Sequence, residues 1–134
     1  MSDALARLRG LRVLIVEDEL VIAMELEDLL KDLGCVSLDP APTVKKALRA
    51  LDGDRPDVAL LDVNVQGERI TPVAEALHER GIPFLLVSGY GSERLPEEAL
   101  RGATHLRKPV DSRRLARALV EVLQRHERGS PDPA

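Results

Sequence analysis

Aromatic side chains are almost missing from this sequence. Phe84 and Tyr90 are the only two among 134 residues, and tryptophan is absent. That removes the stacking platform on which single-stranded nucleic acids are held. There is no basic excess either: the net charge is -4, with both signs interspersed. A chain with this balance has no electrostatic footprint for a polyphosphate backbone, so no nucleic-acid partner is expected. Cysteine occurs once, at Cys35, which excludes an intrachain disulfide and a cysteine-built zinc site. Cys35 reads as a small buried hydrophobe opening a strand. No apolar run approaches the ~20 residues of a membrane helix, and residues 1–10 lack the apolar core of a signal peptide. The expectation is a cytoplasmic protein with no membrane partner. The three histidines, His78, His105 and His126, stand at no metal-ligand spacing.

What is present is an ordinary apolar content of 44% beside a charged fraction of 31%, enough for one compact domain. That domain is expected over residues 11–127, between an N-terminal extension (1–10) and a flexible tail (128–134). Short apolar runs alternate with amphipathic stretches. The runs Leu11–Val16, Val36–Leu38, Val58–Leu61, Ile82–Val87 and Thr104–Arg107 read as strands. Between them, Glu19–Leu33 places Ile22, Leu26, Leu29 and Leu33 at helical spacing, with Gly34 ending the helix. Thr43 reads as the N-cap of Val44–Leu51. Thr71 followed by Pro72 reads as a cap and first turn opening Val73–Arg80. Leu95–Arg101 is a shorter helix. Asp111 caps Ser112–Arg125, with Leu115, Leu119, Val122 and Leu123 as its buried stripe. Five such alternations predict an α/β fold, a doubly wound parallel sheet with helices on both faces. Ligands in such sheets bind outside the carboxyl ends of the strands.

The strand ends carry chemistry. The first runs into Glu17-Asp18-Glu19, the third into Asp62, the fourth into Ser88 and the fifth into Lys108-Pro109. Each has a plain alternative: an acidic loop at a helix start, a turn aspartate, a Ser-Gly turn, a solvated lysine. Their joint occurrence at four strand ends is what points to a site. Carboxylates about 4 Å apart repel by roughly 4 kcal/mol per pair at an effective dielectric near 20, and a hard cation such as Mg2+ relieves that. Asp62 can then act as a carboxylate nucleophile on phosphorus, with Ser88 and Lys108 holding phosphoryl oxygens.

Over nearly its whole length the chain resembles the response-regulator receiver family of two-component systems. The matching runs are Val13-Leu14-Ile15-Val16-Glu17-Asp18-Glu19, Leu60-Leu61-Asp62-Val63-Asn64, Val87-Ser88-Gly89 and Arg107-Lys108-Pro109. The resemblance implies a flavodoxin-like five-stranded sheet of order 2-1-3-4-5. It implies Glu17 and Asp18 as the acidic magnesium pair, Asp62 as phosphoacceptor and metal ligand, and Asn64 as a ligand through its backbone carbonyl. Ser88 would be the switch hydroxyl and Lys108 the phosphate-pairing ammonium, with a cis bond before Pro109. Asn64 and Tyr90 would tune the phosphoryl lifetime. The family's usual aromatic three residues before the lysine is here His105, read either as an unremarkable edge-strand histidine or as a switch residue. The run Pro83-Phe84-Leu85-Leu86-Val87-Ser88-Gly89-Tyr90 partly resembles a receiver subclass with a Pro-Phe-x-Phe-Ala-Thr-Gly-Tyr motif, known from general-stress signalling, and departs from it at Leu86, Val87 and Ser88.

By the same resemblance the donor is a histidine kinase or a histidine phosphotransfer protein. The expectation is a monomer or weak dimer that signals by protein contact, without a DNA-binding output domain, and that catalyses only its own phosphorylation and dephosphorylation. Two rivals stand beside this reading. A small phosphohydrolase would need a second Asp where Asn64 stands, since Asn64 cannot serve as a general acid. A phosphorylation-silent scaffold would not need the complete acidic set.

Overall fold

The computed structural model describes residues 3–53, 55–65, 68–89 and 103–128. In chain order the elements are α1 (Asp3–Ala6), β1 (Arg12–Val16), α2 (Leu20–Asp32), β2 (Val36–Ser37), α3 (Val44–Asp52), β3 (Val58–Asp62), β4 (Asn64–Val65), β5 (Glu68–Arg69), α4 (Thr71–Glu79), β6 (Phe84–Ser88), β7 (His105–Arg107) and α5 (Ser112–Glu127). Five strands form one parallel sheet in the order β2-β1-β3-β6-β7. Numbered within that sheet alone the order is 2-1-3-4-5, as expected. The order reverses beside β1, so a crevice opens between the carboxyl ends of β1 and β3.

The alternation of side chains along each strand builds two cores. Val13, Ile15, Val58, Leu60, Leu85 and Val87 face one way, against Leu26 and Leu30 of α2 and Leu115 and Leu119 of α5. Leu14, Val16, Ala59, Leu61 and Leu86 face the other, against Ala47 and Leu51 of α3 and Val73 and Leu77 of α4. Strands covered on both faces are apolar at successive positions, which is why Val13–Val16 shows no polar alternation. Thr43 and Asp111 cap as expected, accepting from the backbone N–H of Lys46 at 3.0 Å and of Arg114 at 2.8 Å. Gly34 follows the end of α2 with φ +85°, a conformation glycine adopts without strain.

Two expectations are corrected. Thr71 does not cap α4: Ile70 holds that position, and the buried Thr71 Oγ1 has no hydrogen-bond partner among the described residues. Ile70 is fully buried and its carbonyl accepts from the N–H groups of Val73 and Ala74, which sets the helix start one residue earlier. The sheet-facing stripe of α2 is Ala23, Leu26 and Leu30, with Ile22, Leu29 and Leu33 only partly buried at its flanks. This helix is apolar on more than one side, since Leu20, Val21 and Met24 stand exposed, and spacing alone cannot choose the face. In the segment before β1, Leu8 is buried in the core shared with α5 and Arg7 pairs with Glu127. The small β4–β5 hairpin was not anticipated; Gly67, between its strands in sequence, was the available turn signal. The helix expected at Leu95–Arg101 and the tail from 129 lie outside the described residues. No helix among the described residues is long and apolar enough to cross a membrane.

Candidate functional site

Parallel pairing of β1, β3, β6 and β7 brings four strand ends to one edge of the sheet. The register aligns Val16 with Leu61 and Asp62 with Val87, so Glu17, Asp62 and Ser88 follow one another across it. Beyond β7, the Lys108 N–H donates to the Ser88 carbonyl at 2.7 Å, continuing the ladder and fixing the lysine beside β6. The Lys108–Pro109 peptide bond is cis.

At this edge Glu17, Asp18 and Asp62 each present a carboxylate oxygen, all within 4.8 Å of one another. Glu17 is only 2% exposed. Its Oε1 accepts from Lys108 Nζ at 3.0 Å and its Oε2 from the Glu19 backbone N–H at 3.2 Å. Lys108 Nζ also lies 4.0 Å from Asp62 Oδ2, so one ammonium group serves two carboxylates. Burial pushes the Glu17 carboxyl up to about 7, and Asp62 acts in the same direction, while Lys108 and the Glu19 N–H oppose it. The three carboxylates gather beside Lys108, and their oxygen donors suit a hard cation such as Mg2+, with Glu17, Asp18 and Asp62 as the residues able to hold it.

Ser88 closes β6 with no exposed surface. Its Oγ is hydrogen-bonded to Nε2 of His105, the first residue of β7. Burial, and after it the positive charge of Arg107, lowers the His105 pKa below the ordinary histidine range.

The structure therefore brings together Glu17, Asp18, Asp62 and Lys108, with Ser88 at the adjoining strand end. Asn64 opens β4, two residues beyond Asp62. Tyr90 lies outside the described residues. His78 and His126 are exposed on α4 and α5, as expected. Two features escaped the sequence. Lys108 is engaged by Glu17 as its nearest acidic partner, and Ser88 is bonded to His105. The only hint of the second was the histidine standing where an aromatic residue is usual.

The comparisons with known proteins agree with this picture. Residues 13–120 match the model of the response regulator receiver domain. The chain is similar to the sensory transduction protein LytT of Bacillus subtilis (strain 168), at 30% identity over 112 residues, 81% of this chain and 46% of that protein. It thus spans about half the length of that curated relative. Among solved structures it is similar to SdrG from Sphingomonas melonis Fr1, 40% identical with a TM-score of 0.77, covering 85% of this chain and 97% of that one. It is also similar to the BeF3-activated conformation of SdrG from Pseudomonas melonis Fr1, 41% identical with a TM-score of 0.72, covering 84% and 95%. Since the family match runs from the first strand of the sheet into α5, the chain belongs to the response regulator receiver domain family, a signalling module of two-component systems.

Proposed function

We propose that this chain is a phosphorylation-controlled switch that accepts a phosphoryl group on Asp62 from a phosphohistidine. The observation that carries the reading is the meeting of Glu17, Asp18 and Asp62 within 4.8 Å, with Lys108 Nζ at 3.0 Å from Glu17 and 4.0 Å from Asp62. An Asp62 oxygen attacks phosphorus, the O–P bond forms as the N–P bond of the donor breaks, and the imidazole leaves with a proton taken from solvent. Lys108 offers its N–H groups to the transferred oxygens. Bound at Glu17, Asp18 and Asp62, with the Asn64 carbonyl as a further ligand, Mg2+ would supply neutralisation of the charge on the phosphoryl group. Ser88 then binds a phosphoryl oxygen, and Asn64 and Tyr90 would modulate attack by water.

The donor is a histidine kinase or a histidine phosphotransfer protein, which places the chain in the cytoplasm. Exposed Leu20, Val21 and Met24 at the start of α2 border the same end of the sheet and offer it an apolar contact. Output passes to a protein partner through surfaces that repack on phosphorylation. The BeF3-activated conformation of a relative 41% identical to this chain supports the same direction. The test is intact mass after incubation with acetyl phosphate and Mg2+. One labile phosphoryl group is expected on the native chain and none on Asp62→Asn or in EDTA. A label that survives Asp62→Asn would overturn the assignment.

A further inference from the structure

Ser88 poses a problem that the phosphoryl-transfer reading leaves open. Its hydroxyl is fully buried and already bonded to His105 Nε2, yet the same hydroxyl is the group that should engage a phosphoryl oxygen. A buried hydroxyl without a partner is costly, so it does not wait unbonded for phosphate. The register explains why His105 reaches it. Leu86 pairs with His105 and Ser88 with Arg107, so His105 shares a face with Leu86 and Ser88, one step back along β7.

We propose that His105 is a positioning residue for Ser88, whose Nε2 accepts from the Ser88 hydroxyl in the resting state and donates to it in the phosphorylated state. The inference rests on Asp62 being the phosphoacceptor. A hydroxyl has one proton to donate and lone pairs that accept. Phosphoryl oxygens only accept, so Ser88 must spend its single proton on them. Its bond to His105 then survives only if the imidazole presents an N–H at Nε2. Two routes supply it. The neutral ring moves its proton from Nδ1 to Nε2 through solvent with no net uptake, or the ring takes one proton from solvent and becomes imidazolium. In either case the result is a chain in which Nε2–H donates to Oγ and the Ser88 O–H donates to phosphate. A phenylalanine at this position could make neither arrangement.

The surroundings decide between the ring's states. At rest, burial and Arg107 disfavour the cation. β6, packed alongside, carries no titratable group from Phe84 to Ser88. α5, with Arg125 bonded to Thr104, lies on the other face of the sheet from His105. Arg107 is the described charge that acts on the ring, and with burial it disfavours the cation, so the resting ring is neutral and accepts. A phosphoryl dianion beside Ser88 is the one new negative charge and favours the proton on the ring.

The test is nitrogen-15 NMR of the His105 ring in the full chain, with Mg2+ alone and with Mg2+ plus beryllofluoride, from pH 5.5 to 8. An unprotonated Nε2 is expected at rest and a protonated Nε2 with beryllofluoride, held about tenfold more tightly if the cation forms. Ser88→Ala should abolish the response of the ring while beryllofluoride still binds. In His105→Phe, any strengthening of beryllofluoride affinity at lower pH that depends on the ring should be lost. Identical ring nitrogen shifts and titration in the two states, with bound beryllofluoride visible by fluorine NMR, would overturn the role of His105 and leave Asp62 untouched. No bound beryllofluoride at all would overturn both.

Discussion

Replacing Glu17 by glutamine should change how stability depends on pH more than it changes stability itself. The Glu17 carboxyl rises from an ordinary 4.5 to about 7 in the folded chain, chiefly through burial. The folded state therefore binds this proton more tightly than the unfolded chain does. Its contribution is fully present below pH 4.5 and is lost progressively as pH rises through 7. Between pH 5 and pH 8, linkage gives a loss on the order of a few kcal/mol. In Glu17→Gln the titrating group is gone. The amide keeps one acceptor for either Lys108 or the Glu19 N–H, but turns a donor toward the other, at about 1–3 kcal/mol. That cost is the same at every pH, so it moves the variant's curve without tilting it. Urea unfolding followed by circular dichroism in EDTA, at pH 5, 6, 7 and 8, reads the difference between the two proteins. The variant should gain on the native chain by a few kcal/mol across that range. A difference constant with pH would mean that Glu17 is ionised in the folded chain throughout, and the account of the cluster would be wrong. Saturating Mg2+ should remove most of the tilt from the native chain, because bound cation holds the carboxylate ionised, and should do nothing for Glu17→Gln if the metal site is lost.

Lys108→Ala should cost about 1.5–3 kcal/mol at pH 8, where it removes a charge-assisted hydrogen bond from a buried carboxylate, and much less at pH 5, where Glu17 is protonated; the same unfolding series checks it, and labelling by acetyl phosphate should fall with it. Burial pushes the Cys35 thiol from 9.0 up to about 11, so at pH 8 it holds about a hundredfold less thiolate than an ordinary cysteine. Iodoacetamide should leave it unmodified in the native chain and modify it fully in urea, by intact mass. Leu8→Ala should destabilise by about 2–5 kcal/mol, the range for truncating a fully buried leucine. A loss below 0.5 kcal/mol in urea unfolding would show that the segment before β1 is dispensable.

The parts of this molecule that could be read in the sequence are those in which local pattern and global fold make the same demand. Val13–Val16 is apolar at every position because both faces of β1 are covered, and that alone argues for a parallel sheet. Once the sheet is parallel, the residues after each strand must gather at one edge. Glu17, Asp62, Ser88 and Lys108 could therefore be placed together before any distance was known. Thr43 and Asp111 were legible for a similar reason, since a cap is a contact over three residues. Thr71 failed because the burial of Ile70, a tertiary fact, outweighed a cap-like dipeptide. The exposed Leu20, Val21 and Met24 obscured the inner face of α2 in the same way.

Ser88 and His105 mark where such reading stops. They are 17 positions apart, and each has an unremarkable reading alone. Their contact depends on the register of β6 against β7, which is fixed by the pairing of Leu86 with His105 and not by anything local to either residue. A register shifted by one residue would send His105 to the opposite face and leave the Ser88 hydroxyl without this partner. The gathering of Glu17, Asp62 and Lys108 is thus tolerant of sequence context, because strand ends must converge in this topology. The Ser88–His105 contact is not, because it hangs on one pairing at the edge of the sheet. A substitution that loosens β7 should therefore weaken the Ser88–His105 contact and also release Lys108, which follows that strand. If Asp62 is the phosphoacceptor, Leu106→Ala, which removes a buried side chain from the middle of the strand, should lower acetyl phosphate labelling by less than Lys108→Ala does, while the His105 ring loses its response to beryllofluoride.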